Sequence, residues 1–148
     1  MSAYTINGAV DIPIKYHGSP ALEQVKKGGC VDLYSRDELT LHKGEWGFMN
    51  LGVAMELPKG FDALILPRSS TFKRYGILLT NSVGYIDNAY NGNDDVWLVC
   101  VYATRDITIP AGTRCFQFRL IPTQPIIRFQ ETNDLHNEAR GGFGSTGL

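Results

Sequence analysis

The sequence predicts an all-β fold, a sandwich or barrel with hardly any helix. Two observations carry this. About ten short runs are either apolar throughout or alternate apolar with polar residues, as strands do. Glycine, proline, asparagine and aspartate punctuate these runs at regular spacing, which is turn chemistry.

Residues 9–16 alternate like an opening strand, and Pro13 suggests a sheet edge. Ser19 and Pro20 start one predicted helical turn over residues 21–27, which Gly28 ends. Gly28 and Gly29 then lead into a strand with Val31, Asp32 and Leu33. Residues 39–42 form a short strand and residues 45–57 a longer one, with Phe48, Leu51, Val53, Ala54, Met55 and Leu57 as core. Pro58, Lys59 and Gly60 turn the chain. Residues 61–66 are the next strand, stopped by Pro67. Thr71 to Tyr75 make about one helical turn, with Ser69 or Ser70 as cap and Gly76 as terminator.

Residues 81–92 read as two short strands joined by a tight turn. Val83, Tyr85 and Ile86 favour extended backbone, while Asp87, Asn88 and the pair Asn91-Gly92 favour turns. Residues 96–103 are a continuous apolar run, expected as a central strand. Residues 106–110 and 114–122 alternate, separated by Ala111 and Gly112. Residues 125–130 are the last predicted strand. Beyond residue 131 the apolar side chains are Leu135, Ala139, Phe143 and Leu148, too few for a core. The expected organisation is a single β domain over residues 1–131 and a flexible C-terminal arm over residues 132–148.

The chain has 148 residues, enough to bury roughly 70% of its unfolded surface without a disulfide or metal. Its net charge of −1 comes with no basic patch, which argues against duplex nucleic acid as a partner. Three cysteines without a C-x-x-C pair suit a reducing cytosol, and Cys100 and Cys115 lie in apolar runs as small buried residues would. The three histidines lack zinc-ligand spacing. With no long apolar run and no signal-peptide pattern, the expectation is a soluble cytoplasmic protein and no membrane partner.

Five stretches carry candidate chemistry. Asp87 sits at the hairpin mouth with Tyr90 three residues on. A carboxylate there can take a proton from water or accept a sugar hydroxyl, and the aromatic can stack on a ring; an ordinary turn Asp fits equally. Asp32 stands between apolar neighbours, either facing solvent beside a glycine bulge or serving a site. Arg68, Ser69 and Ser70 precede a helix start, where a guanidinium, hydroxyls and free N–H groups can hold an anion; a plain capped helix also fits. Gln117 faces away from Phe116 and Phe118, toward solvent or a ligand. In the arm, Arg140, glycine N–H groups and the hydroxyls of Ser145 and Thr146 could wrap a phosphate, with Phe143 over a base, or the arm is simply a disordered tail. A calcium loop over residues 87–95 fails, because Ala89 occupies a ligand position and Leu98 stands where a bidentate Glu is needed.

Taken in order, these stretches resemble the five motifs of the trimeric dUTPases of the bacterial and phage kind. Gly29-Cys30-Val31-Asp32-Leu33 is similar to the first, with Gly28 in place of the usual small residue. Pro67-Arg68-Ser69-Ser70 resembles the second, with Ser70 for the commoner glycine. Gly84-Tyr85-Ile86-Asp87-Asn88-Ala89-Tyr90-Asn91-Gly92 resembles the third. The run from Arg114 through Gln117 to Pro122 resembles the fourth. Gly141-Gly142-Phe143-Gly144-Ser145-Thr146-Gly147 resembles the fifth, two residues shorter between Arg140 and Phe143.

The resemblance implies a jelly-roll-like β-barrel or sandwich, assembled as a homotrimer with shared sites and a glycine-rich C-terminal arm. It implies Mg²⁺-dependent hydrolysis of dUTP to dUMP and pyrophosphate, which cleans the nucleotide pool and supplies a dTTP precursor. In that scheme Asp87 is the general base for a water attacking the α-phosphorus and also accepts the 3′-hydroxyl. Tyr90 packs under the deoxyribose and Phe143 over the base. Asn81 and the backbone of Gly84 and Ile86 read uracil. Arg68, Ser69, Ser70, Gln117, Arg140, Ser145 and Thr146 hold phosphates. Mg²⁺ rides on the triphosphate, reached by Asp32 through a water. The resemblance also leaves room for a regulatory protein partner if the chain is phage-encoded, a second job that phage members of the family can take on.

Two rivals are weaker. A dCTP deaminase shares the fold and a similar Arg-Ser-Ser stretch, but needs a glutamate on the strand after the hairpin, and residues 96–103 contain none. A non-catalytic nucleotide- or protein-binding module would have no need of Asp87, Tyr90 and Gln117 together.

Overall fold

Eleven strands and one short helix form among the residues described, which are 8–24, 28–144, 146 and 147 of a computed structural model. In chain order they are β1 (Ile14–Tyr16), β2 (Val31–Tyr34), β3 (Leu39–Leu41), β4 (Trp46–Asn50), β5 (Val53–Met55), β6 (Phe61–Pro67), α1 (Thr71–Tyr75), β7 (Ile77–Leu79), β8 (Gly84–Ile86), β9 (Leu98–Ala103), β10 (Ile107–Ile109) and β11 (Arg114–Pro122). All pairings are antiparallel. One sheet runs β2-β11-β6-β8 and a second runs β4-β9-β7; β1 pairs with β5 and β10 with β3.

Period-two alternation explains which face each strand buries. In β9, Val99, Val101 and Ala103 point inward while Leu98 and Tyr102 point out. Ala63 and Ile65 of β6, Phe116 and Phe118 of β11 and Leu33 of β2 meet Met49, Ile77 and Leu79 of the other sheet in one core. Trp97, fully buried just before β9, packs edge-on to Phe118 at 5.2 Å. Truncating an aromatic in such a core costs about 3–5 kcal/mol, so Trp97 is a principal anchor of the sandwich.

The all-β expectation holds, with β9 central in its sheet. Several local expectations do not hold. The stretch over residues 81–92 is not a paired hairpin: it holds one strand, β8, which joins β6, and residues 87–97 form no second strand to pair with it. The long strand over residues 45–57 is two. Gly52, at φ +65°, breaks it, and a side chain there would meet the Ser19 nitrogen at 2.8 Å. The opening strand shrinks to β1. Residues 21–24 form no helical turn, and the remainder of that expected turn, residues 25–27, lies outside the described residues. Cys115 is buried as expected, but Cys100 is only half-buried.

Residues 125–130 form no strand. Among the described residues two of their apolar side chains find no cover: Ile126 is 95% exposed and Phe129 94%. No helix among the described residues is long and apolar enough to cross a membrane.

Candidate active site

The site residues gather in two places on the four-stranded sheet. At one end, β11 lies between β2 and β6 and sets Gln117 opposite both Asp32 and Leu66. Arg68 follows β6 directly. Its Nε lies 3.1 Å from Asp32 Oδ1, and Arg114 Nη1 lies 3.7 Å from Oδ2. Arg68 also donates through Nη1 to the Arg114 carbonyl at 3.0 Å. Gln117 donates through Nε2 to the Pro67 carbonyl at 3.1 Å. Two guanidiniums, a carboxylate and a carboxamide therefore share one partly open patch.

Helix α1 is capped differently from the sequence expectation. Ser70 occupies the cap position but makes no side-chain cap bond. Thr71 is buried instead; its hydroxyl donates to the Cys115 carbonyl at 2.5 Å and accepts the Arg68 N–H at 2.9 Å. This leaves the exposed Ser69 and the half-buried Ser70 available beside Arg68. A depression of about 290 Å³ opens there, lined by Pro67, Arg68, Ser69, Phe72, Leu78 and Ser82 among others. Behind it, burial pushes the Cys115 thiol up to about 12, against an opposing pull from Arg68.

The second cluster sits at the other end of β6. β8 is the edge strand, so alternate backbone groups of Gly84, Tyr85 and Ile86 face away from β6. Gly84 is required there, since a Cβ would stand 2.9 Å from Ile65 Cβ on the neighbouring strand. Asp87 leaves the end of β8 with its carboxylate exposed. One oxygen accepts the Ala89 N–H at 2.8 Å and the other is uncommitted among the described residues. Tyr90 donates its hydroxyl to the Val96 carbonyl at 3.1 Å, which holds the ring at the rim. Tyr85, Ile86, Asp87, Tyr90 and Leu98 line a depression of about 230 Å³. Asn81 is exposed in the crossover before β8.

The two clusters do not meet within one chain. Ile86 pairs with Ala63, which sets Asp87 level with Asp62, while Arg68 follows Pro67. From Asp62 to Arg68 the strand spans roughly 20 Å, at about 3.3 Å per residue. The arm joins neither cluster by a described hydrogen bond. Arg140, Phe143 and Thr146 are exposed, Phe143 with φ 46°, and Ser145 lies outside the described residues.

Three residues with no site role expected from the sequence, Asp62, Tyr85 and Asn88, stand beside Asp87. Asp62 is buried and accepts hydrogen bonds from the Tyr85 hydroxyl and from the Asn88 N–H, the latter at 2.8 Å. The Asn88 carboxamide donates to the carbonyls of Leu57, Pro58 and Phe61. The available signal was an acid inside an otherwise apolar strand. Arg114 lay within a noted run, but nothing local tied it to Asp32.

The architecture matches solved structures of phage enzymes. The Staphylococcus bacteriophage 80alpha dUTPase, solved with dUpNHpp, superposes with a TM-score of 0.76 at 19% identity, over 93% of this chain and 99% of that one. That protein is described as controlling transfer of virulence genes by a proto-oncogenic G protein-like mechanism. A mutant dUTPase from phage phi11 of S. aureus, at a TM-score of 0.72 and 14% identity over 86% of this chain and 99% of that one, is described as coordinating a structural Mg(II) ion.

The fold is thus that of the phage dUTPases. The dUTPase family model matches residues 23–147, and the chain belongs to that family. The SPbeta prophage-derived deoxyuridine 5'-triphosphate nucleotidohydrolase YosS of Bacillus subtilis is 41% identical over 140 residues, 93% of this chain and 99% of that protein. The deoxyuridine 5'-triphosphate nucleotidohydrolase of Cutibacterium acnes is 34% identical over 120 residues, 80% of this chain and 78% of that protein.

Proposed function

We propose that this protein is a cytoplasmic dUTP diphosphatase that cleaves dUTP to dUMP and pyrophosphate with Mg²⁺, as a homotrimer whose sites are shared between chains. Family membership supports the substrate and the reaction. The observation that carries the shared site is the separation of Asp87 from Arg68 along β6. In-line attack needs the base, the water and the clamped phosphates within a few ångströms of one another, and roughly 20 Å is too far. A second chain supplying one cluster to the other removes the difficulty. The outer face of the β4-β9-β7 sheet supports assembly: Trp46 and Phe48 are 61% and 62% exposed, with Leu78, Leu98 and Tyr102 on the same face.

In this reading residues 1–131 are the catalytic domain and residues 132–148 an arm that closes a neighbour's site. Asp87 takes the proton from the attacking water through its uncommitted oxygen. Tyr90 lies under the deoxyribose, Asn81 and the free edge of β8 read uracil, and Phe143 covers the base. Arg68, Ser69, Ser70 and Gln117 hold the phosphates, with Arg140, Ser145 and Thr146 closing from the arm. The donor set fits magnesium. Among the described residues no three His, Cys, Asp or Glu side chains gather, and Asp32 is shared with two arginines, so the chain offers one carboxylate to an ion held mainly by phosphates and water. Bound there, the ion would neutralise phosphate charge. A regulatory protein partner, if the chain is phage-encoded, rests on kinship with the Staphylococcus phage enzyme alone.

The test is incubation with dUTP, dCTP, dTTP and UTP, each with Mg²⁺ or EDTA, assaying pyrophosphate and ammonia. Pyrophosphate from dUTP alone, dependent on metal and lost in Asp87→Asn, is expected. Ammonia from dCTP, or no turnover from a folded trimer, overturns the proposal.

A further inference from the structure

We infer that Asp62, Asn88 and Tyr85 form a clamp that sets the direction of the Asp87 carboxylate, and that they are positioning residues for the reaction. The inference rests on the reading of Asp87 as the base.

Asp62 is 5% exposed, and the ion pairs among the described residues all lie elsewhere. A buried carboxylate without a cation is costly, and it is held by strong hydrogen bonds instead. Its two oxygens are divided between two donors. One takes the Tyr85 hydroxyl and the other the Asn88 backbone N–H at 2.8 Å. Asn88 is anchored a second time through its side chain. The carboxamide nitrogen lies 3.2, 2.9 and 2.8 Å from the carbonyls of Leu57, Pro58 and Phe61, so its two protons serve three acceptors around the turn before β6.

Asp87 lies between these anchors. Ile86, before it, is paired with Ala63 on β6, and Asn88, after it, is tied to Asp62 on the same strand. The Asp87 carbonyl also accepts the Tyr90 N–H at 2.9 Å, which couples Tyr90 to the same fixed point. The carboxylate itself has one internal bond, to the Ala89 N–H. Its aim therefore depends on the backbone on either side, which the clamp determines. Tyr85 contributes twice: its hydroxyl is tied to Asp62 and its ring is a wall of the depression that holds Asp87, Tyr90 and Leu98. The network thus converges on Asn88, directly after the exposed carboxylate, and on Tyr85, two residues before it.

The test compares Asn88→Ala, Tyr85→Phe, Asp62→Ala, Asp62→Asn and Asp87→Asn in the full-length protein. It reads kcat and KM with dUTP and Mg²⁺, the Kd of a non-hydrolysable dUTP analogue, and the melting temperature. Displacing a reacting group by about an ångström costs on the order of 100-fold. Asn88→Ala and Asp62→Ala are therefore expected to lower kcat by about 10- to 100-fold while the analogue's Kd stays within about threefold. Asp62→Asn, which still accepts the Asn88 N–H, is expected to recover most of what Asp62→Ala loses. Tyr85→Phe removes a single hydroxyl, keeps the ring and should lower kcat in the same sense; it decides the matter should the alanine variants not fold. Lower melting temperatures with unchanged kcat would make the clamp merely structural and overturn the inference. If Asp87→Asn keeps full turnover, the reading of Asp87 as base fails and the inference with it. If Asp87→Asn is inactive while the clamp variants keep their kcat, the inference fails alone.

Discussion

The Asp32 carboxylate and the Arg68 guanidinium meet at 3.1 Å although their strands are not neighbours; β11 lies between β2 and β6, and the pair closes over Gln117. The phosphate cluster is thus one unit built across three strands, with Arg114 on its flank.

Arg68→Lys should damage binding more than folding. Lysine keeps the charge but cannot engage Asp32 and the Arg114 carbonyl while presenting donors to a phosphate. Losing one charge-assisted bond of about 1.5 kcal/mol raises KM roughly tenfold. The ion pair is partly open to water, so stability should change by less than about 1 kcal/mol. Steady-state kinetics beside thermal melting check this, and an unchanged KM would remove Arg68 from the phosphate site.

Deleting residues 139–148 should leave assembly and melting temperature nearly unchanged, because Arg140, Phe143 and Thr146 are exposed. Turnover should fall by about 100-fold or more if the arm orients the substrate. Light scattering and the pyrophosphate assay together decide, and full turnover from the shortened protein would sink the role given to the arm.

Gly84→Ala should be destabilising and inactivating at once. The added Cβ meets Ile65 Cβ at 2.9 Å, so β8 must move away from β6. Overpacking of this kind costs about 1–3 kcal/mol, and the same displacement moves Asp87. Urea denaturation and kcat should shift together; a stable, fully active variant would show that β8 tolerates the shift.

Stability should decline in alkali through Cys115. Burial pushes its thiol up to about 12, while an unfolded thiol ionises near 9. Between these values the folded chain keeps a proton that the unfolded chain has lost. The contribution is fully present below about pH 9 and declines as pH rises toward 12, by about 1.4 kcal/mol per unit. Tyr85 acts in the same sense: the hydrogen bond to Asp62 comes first among the causes that hold its hydroxyl above the ordinary value. Urea midpoints from pH 8 to 10.5 should decline less steeply in Cys115→Ala than in the wild type; equal slopes would remove Cys115 as a source.

What could be read along the chain were properties that a few neighbouring residues decide. Alternation of apolar side chains marked most strands, and Gly76 ends α1 where expected, in the left-handed conformation. The residues of both clusters were visible for the same reason, as short runs of donors, acids and glycines. Pairing partners were not visible, because hydrogen-bond partners are chosen by distant strands. Residues 81–92 have the composition of a hairpin, yet their one strand, β8, is drawn to β6, and the chain after it runs without a strand until β9. Asp62 is the one polar residue in the apolar run of β6. Tyr85 of β8 and Asn88 just beyond it satisfy its buried carboxylate, and no local pattern records that arrival. Ile126 and Phe129 show the converse: their apolar pattern promised burial, and among the described residues nothing covers them. The sequence alone therefore determined the fold class and the chemistry of the candidate groups. The tertiary structure decided which groups meet, because contacts between distant segments depend on register and sheet order rather than on local composition.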